Sequence, residues 1–205
     1  MSPSTSRSAE ASRPRGALQI IRDEHTSLAA MLRSLQQMIA RGPQDKSEQF
    51  FDVVRAMLFY IDEFPEKQHH PKESSLLFPM LVRAAPQLRP VIDGLDQDHA
   101  RGEARVRELQ HELVAWELLG ESRRAAFEAA VGVYVAEYLG HMRLEETQLL
   151  PVAEQALDAK QHAELDAAFR ANADPLGPAG PQPRYDRLFT RIVLRAPAPI
   201  GLGPG

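Results

Sequence analysis

Two eleven-residue segments of this chain share one plan: HHPKESSLLFP at 69–79 and HMRLEETQLLP at 141–151 both read histidine, three residues, glutamate, five residues, proline. Each also places a leucine two positions before the proline, at Leu77 and Leu149. On a helix turning about 100° per residue, positions i and i+4 lie only about 40° apart. His69 with Glu73, and His141 with Glu145, therefore project from one helical face one turn apart. Further histidines sit upstream of both segments, each behind acidic residues: DEH ends at His25, 44 positions before His69, and DQDH ends at His99, 42 positions before His141. The chain reads as two helical hairpins built to one design.

The surrounding pattern is helical throughout. Leu18, Ile21, His25, Leu28, Leu32, Leu35 and Ile39 recur at spacings of three and four, a bundle-facing stripe that stops at Gly42-Pro43. A second helix starts near residues 45–47 and carries Phe50, Val53, Val54, Met57, Leu58 and Ile61. Pro65 and Pro71 bend or interrupt it before Pro79, which predicts irregular backbone beside His69. A third spans about 90–119 with Ile92, Leu95, His99, Val106, Leu109 and Leu113 inward. The fourth spans about 122–151 with Val131, Tyr134, Tyr138, His141, Glu145 and Leu149 inward. No strand-type alternation bounded by hairpin turns occurs. The expected fold is all-α: an up-down-up-down antiparallel four-helix bundle over residues 16–173, with an additional C-terminal helix at about 158–172 docked through Leu165, Ala168 and Phe169.

Both ends differ in character. Residues 1–15 are Ser, Arg and Pro without an apolar centre, and read as a disordered arm rather than a secretion signal. Residues 174–205 contain seven prolines and five glycines, a Pro/Gly-rich extension in which only YDRLFTRIVL, at 185–194, has the apolar content to pack on the bundle or on a second subunit in a homodimer.

Height decides whether the inward histidines can meet. With alternating helix directions, His25, His69, His99 and His141 all fall near one end of the bundle. Four imidazoles and two carboxylates then share an apolar interior, where unpaired carboxylates are costly to desolvate, and a bound metal removes that cost. The chain has no cysteine, so nitrogen and oxygen must hold it. Two divalent first-row ions bridged by Glu73 and Glu145 suit the set: two iron ions with an oxo or hydroxo bridge come first, with manganese or zinc as alternatives. The metal ligands expected are His25, His69, Glu73, His99, His141 and Glu145. His70, Glu103 and Glu146 remain open as further ligands.

Composition narrows the partners. A net charge of −4 from 24 basic and 28 acidic residues gives no basic field for nucleic acid, and no apolar run reaches a membrane-spanning length, so a cytoplasmic address is expected.

With DEH at His25, HHPKE at His69 and Glu73, DQDH at His99 and HMRLEE at His141 and Glu145, the chain resembles the hemerythrin-like HHE cation-binding proteins over roughly residues 17–155. The resemblance implies a non-haem di-iron centre in a four-helix bundle, taking dioxygen, nitric oxide or peroxide as a small ligand. The alternatives are a peroxide-removing, catalase-like or oxidant-reducing enzyme, and an iron-buffering protein. Oxygen-carrying hemerythrins have two histidines one turn apart on the third helix and an aspartate five residues after the histidine of the fourth. Here His99 is followed by Glu103, and Glu145 or Glu146 stands for the aspartate; added carboxylate charge favours oxidised metal and argues against reversible oxygen carriage. Gly102, inward and one turn past His99, is expected to leave a gap for a small ligand or water. Glu24 and Asp98 are read as solvated, with orientation of an imidazole N–H by one of them as the alternative, and Tyr138 as core, with a hydroxyl hydrogen bond to a metal-bound oxygen species as the alternative.

Overall fold

The computed structural model describes residues 16–172, 174, 176, 183–196, 198, 201 and 202. Among these residues there is no strand. Helix α1 (Ala17–Arg41) buries its predicted stripe and stops at Gly42, whose φ of 70° is a left-handed conformation that lets its N–H close on the carbonyls of Met38 and Ile39. Helix α5 (Arg89–Leu119) ends the same way at Gly120, φ 86°.

The second predicted helix bends without breaking. It begins as α2 (Ser47–Ile61), widens through π-helical turns at Asp62–His69, narrows at α3 (His70–Lys72), widens again at Glu73–Leu77 and finishes as α4 (Phe78–Ala84). The fourth does likewise: α6 (Arg124–Leu144) passes through π turns at Glu145–Leu149 into α7 (Leu150–Ala156). Proline accounts for the widening, because it lacks an N–H and its ring crowds the carbonyl four residues back. Ahead of Pro79 the Phe78 amide bonds five residues back to the Glu73 carbonyl, and ahead of Pro151 the Leu150 amide bonds to Glu145 in the same manner. The repeat seen in sequence is thus a repeat in backbone. The fourth segment also outlasts its expected end at Pro151, since the wide turn gives the ring room and the helix continues to Ala156.

Packing closes a ring: α1 lies against α2 and α6, and α5 against the same two helices. The chain is a helical bundle. Helix α8 (Ala159–Arg170), started by a capping box between Asp158 and Gln161, packs on α1 through fully buried Leu165 and Phe169. Ala168, expected to share that stripe, is half-buried. Helix α9 (Asp186–Arg195), within the YDRLFTRIVL segment, lies on α2 and adds Ile192 to the core. The N-terminal arm, 1–15, lies outside the described residues. No described helix is long and apolar enough to cross a membrane.

The core has two compartments. One holds Leu28 to Ile39 of α1 with Trp116, Phe127 and Tyr134; the other holds Ala17 to Ile21 with Leu77, Leu95, Leu149 and Phe169. On each of the four long segments the inward histidine falls at or near the break between the two, as do Glu73 and Glu145, so the four histidines share one level as the sequence spacing predicted.

Candidate metal centre

His25, His69, Glu73, His141 and Glu145 are all buried, and the His99 side chain is only 6% exposed. Their arrangement is reciprocal. Glu73 turns Oε1 toward His69 Nε2, at 3.3 Å, and Oε2 toward His99 Nε2, at 3.6 Å. Glu145 turns Oε2 toward His25 Nε2, at 3.3 Å, and Oε1 toward His141 Nε2, at 3.2 Å. Each carboxylate spans from the α1–α2 side of the layer to the α5–α6 side. His25, His69 and Glu73 have ligand atoms within 4.8 Å of one another, and so do Glu73, His99, His141 and Glu145.

None of the four oxygens of Glu73 and Glu145 has a hydrogen-bond partner among the described residues, although all are buried. The imidazoles approach them without the alignment that a hydrogen bond requires. His99 and His141 also face each other Nε2 to Nε2 at 3.0 Å, where one proton at most can be shared. Orphaned buried carboxylate oxygens beside converging nitrogen lone pairs are the donor set a cation satisfies.

The outward nitrogens are anchored. His69 Nδ1 faces Glu24 at 2.6 Å, His25 Nδ1 faces Glu146 at 3.0 Å, and His99 Nδ1 meets the Ser74 hydroxyl at 2.9 Å. His141 Nδ1 lies 3.6 Å from Asp98. Fixing Nδ1 leaves each Nε2 aimed at the carboxylates. Glu24 is therefore not solvated as expected: it is buried and also accepts from the Asn172 amide. Asp98 is half-exposed, in accord with the sequence reading.

Protonation follows the same layout. Burial acts to lower the His25 pKa, but Glu145 and Glu146 raise it to about 9. Burial likewise opposes His69, whose pKa Glu73 and Glu24 nevertheless raise well above normal. Burial and the neighbouring His141 press His99 down to about 3. Burial, reinforced by Glu145, pushes the Glu73 carboxyl up, whereas His141 and His25 hold Glu145 well below the carboxylate range despite burial.

His70 does not point away. The widened turns at Asp62–His69 bring both His69 and His70 inside, with His70 only 6% exposed and stacked on His99 at 4.0 Å between ring centres. Its Nδ1 faces Glu66 at 3.1 Å and its Nε2 faces the Tyr138 hydroxyl at 2.8 Å. His70, His99 and His141 also have ligand atoms within 4.8 Å of one another. Glu66, absent from the expected site, fills the space that Gly102 opens; a Cβ at Gly102 would collide with its carboxylate. Glu66 takes up the space directly over Gly102, and a cavity lined by Gly102, Glu66, His99 and His141 remains beside it. An i, i+4 pairing of Glu66 with His70, the same spacing as in the two repeats, was the available signal. Glu103 points outward to Arg107, and Glu146 stays at the edge against His25.

A model of the Hemerythrin HHE cation binding domain matches residues 16–153, more than half of the chain. No curated protein and no solved structure matches it significantly.

Proposed function

Because the chain belongs to the hemerythrin HHE cation-binding family, we propose that its cation site is a non-haem di-iron centre in an up-down-up-down bundle, taking dioxygen, nitric oxide or peroxide as its small ligand. The carrying observation is that two partnerless buried carboxylates each reach both halves of a four-imidazole layer. His25 and His69 would serve one ion and His99 and His141 the other, with Glu73 and Glu145 between them and His70 as an additional imidazole on the second side. Once bound, such a pair of ions supplies an electrophilic, redox-active point for a small oxidant or gas.

The protein's own part is orientation and exclusion of water. Glu24 and Glu146 accept from Nδ1 and so fix the imidazole tautomers of His69 and His25, and Ser74 orients the His99 ring. The two apolar compartments seal the layer above and below. Glu103, on the surface, does not add a carboxylate to the centre, and it is Glu66, paired with His70, that brings a further acid close to it. That acidic neighbour favours oxidised metal and sensing or handling of an oxidant over reversible carriage.

Elemental analysis with an electronic spectrum tests the reading. About two irons per chain with oxo-bridge absorption are expected, and loss of metal in both His69→Ala and Glu145→Ala. Iron content unchanged in both variants would overturn the ligand assignment.

A further inference from the structure

Two neighbouring spaces that share lining residues lie against α5 and α6. The inner one, a cavity of about 30 Å³, adjoins His99 and His141 and is walled by Glu66, Tyr134 and Tyr138. Outside it runs a groove of about 640 Å³, open to solvent, and Arg105, Tyr134 and Glu137 line both. Arg105 and Glu137 pair across the two helices at that shared boundary, and both are about a third to a half exposed. A vestibule, an ion pair and a small chamber with room for water thus follow one another toward the imidazoles.

We propose that this line is a port admitting hydrogen peroxide to the His99/His141 side of the centre, with Arg105–Glu137 as its outer closure. The proposal rests on the metal reading above and names the ligand that the polar port favours. Peroxide leaving water loses hydrogen bonds to both of its O–H groups and its lone pairs, a cost that apolar walls do not repay. Here the walls repay it: the Glu66 carboxylate, the hydroxyls of Tyr134 and Tyr138 and the His70 ring form one hydrogen-bonded set, with Tyr134 to Glu66 at 3.3 Å and Tyr138 to His70 at 2.8 Å. Dioxygen, which makes almost no hydrogen bonds, gains nothing from such walls. A second, smaller cavity of about 10 Å³ adjoins His25, Glu145 and His141 and is bounded in part by Leu28, Phe64 and Met142. Gly102 is what makes the polar chamber possible, since any side chain there would displace Glu66.

The test mixes the reduced, iron-loaded full chain with hydrogen peroxide or with dioxygen and follows absorbance by stopped flow. Arg105→Ala removes the closure and is expected to speed the peroxide phase about threefold, whereas Gly102→Ala drives Glu66 into the chamber and slows it about tenfold. The dioxygen phase should change less than about twofold in both, with iron content unaltered. If Gly102→Ala loses iron, Arg105→Ala alone decides, because its side chain makes no hydrogen bond or ion pair with the centre among the described residues. Peroxide rates equal to wild type with iron retained overturn the port. An equal change in both phases overturns its preference for peroxide, and wild-type protein without iron overturns the metal reading beneath it.

Discussion

Glu24 and His69 lie 2.6 Å apart, carboxylate oxygen to Nδ1, and the same carboxylate accepts hydrogen bonds from Asn172 at 3.0 Å. The contact joins α1 to the second long helix and, through Asn172, to the segment after α8. Since Nδ1 is fixed by Glu24, Nε2 is committed to Glu73. Glu24→Ala is expected to weaken iron retention about 10- to 100-fold without displacing the fold, as loss of an imidazole's outer partner usually does. Competition against a graded chelator measures it; wild-type retention would remove Glu24 from the support of the site.

Glu73 is held in tension without metal. Its carboxyl is pushed up by burial and by Glu145, so at neutral pH its charge costs the metal-free fold stability. Glu73→Gln should therefore raise the melting temperature of the metal-free protein by a few degrees. It should also abolish most of the gain on loading, which for wild type at about 1,000 times the dissociation constant is about 4 kcal/mol. Calorimetry of both forms, with and without iron, separates the two effects. A variant less stable than wild type when both are metal-free contradicts the argument.

Asp174 supplies a pH dependence of its own. Burial raises its carboxyl from 3.8 to about 6, only partly offset by the Leu176 amide and the Tyr60 hydroxyl that it accepts from. Between these values the folded chain holds a proton that the unfolded chain has released, so stability falls as pH rises through that window. The full loss is on the order of 3 kcal/mol and is complete above about pH 6 to 7. Asp174→Asn keeps an acceptor for Tyr60 and removes the charge. Urea unfolding of the metal-free protein should show the variant's stability declining less steeply across this range than wild type's, the remaining slope coming from Glu66, whose carboxyl burial raises to about 7; parallel curves would refute it.

Pro79 and Pro151 hold the wide turns open just after Glu73 and Glu145. Alanine at either position restores an amide and allows the tighter α-helical bond, worth up to about 3 kcal/mol where proline had blocked it. Pro79→Ala and Pro151→Ala are expected to stabilise the metal-free chain while weakening iron binding, because tightening the turn re-aims the residues on it. Thermal melts paired with metal titration check this; unchanged affinity in both variants would show that the turns do not set the site.

What the sequence disclosed is the part that depends on periodicity. His25, His69, His99, His141, Glu73 and Glu145 could be read because each rides an apolar stripe and because equal distances from helix ends set their height. His70 and Glu66 could not be read from ideal phase, since the widened turns at Asp62–His69 change which side chains face inward. Gly102 was located correctly and its occupant was not, for the carboxylate that fills it comes from another helix. Asn172, 148 residues from Glu24, has no local signal at all. The helix of the Pro/Gly-rich extension was foreseen as an anchored piece, with its seat on α2 supplied by the structure.

The two apolar compartments lie on either side of a layer of buried imidazoles and carboxylates, so the groups that join them there are ionisable rather than apolar. A cation held there would tie the four long segments together at one level, as a rivet does. Filling or emptying the centre would then change how firmly the two parts of the bundle are joined, turning the state of the metal into a difference of stiffness.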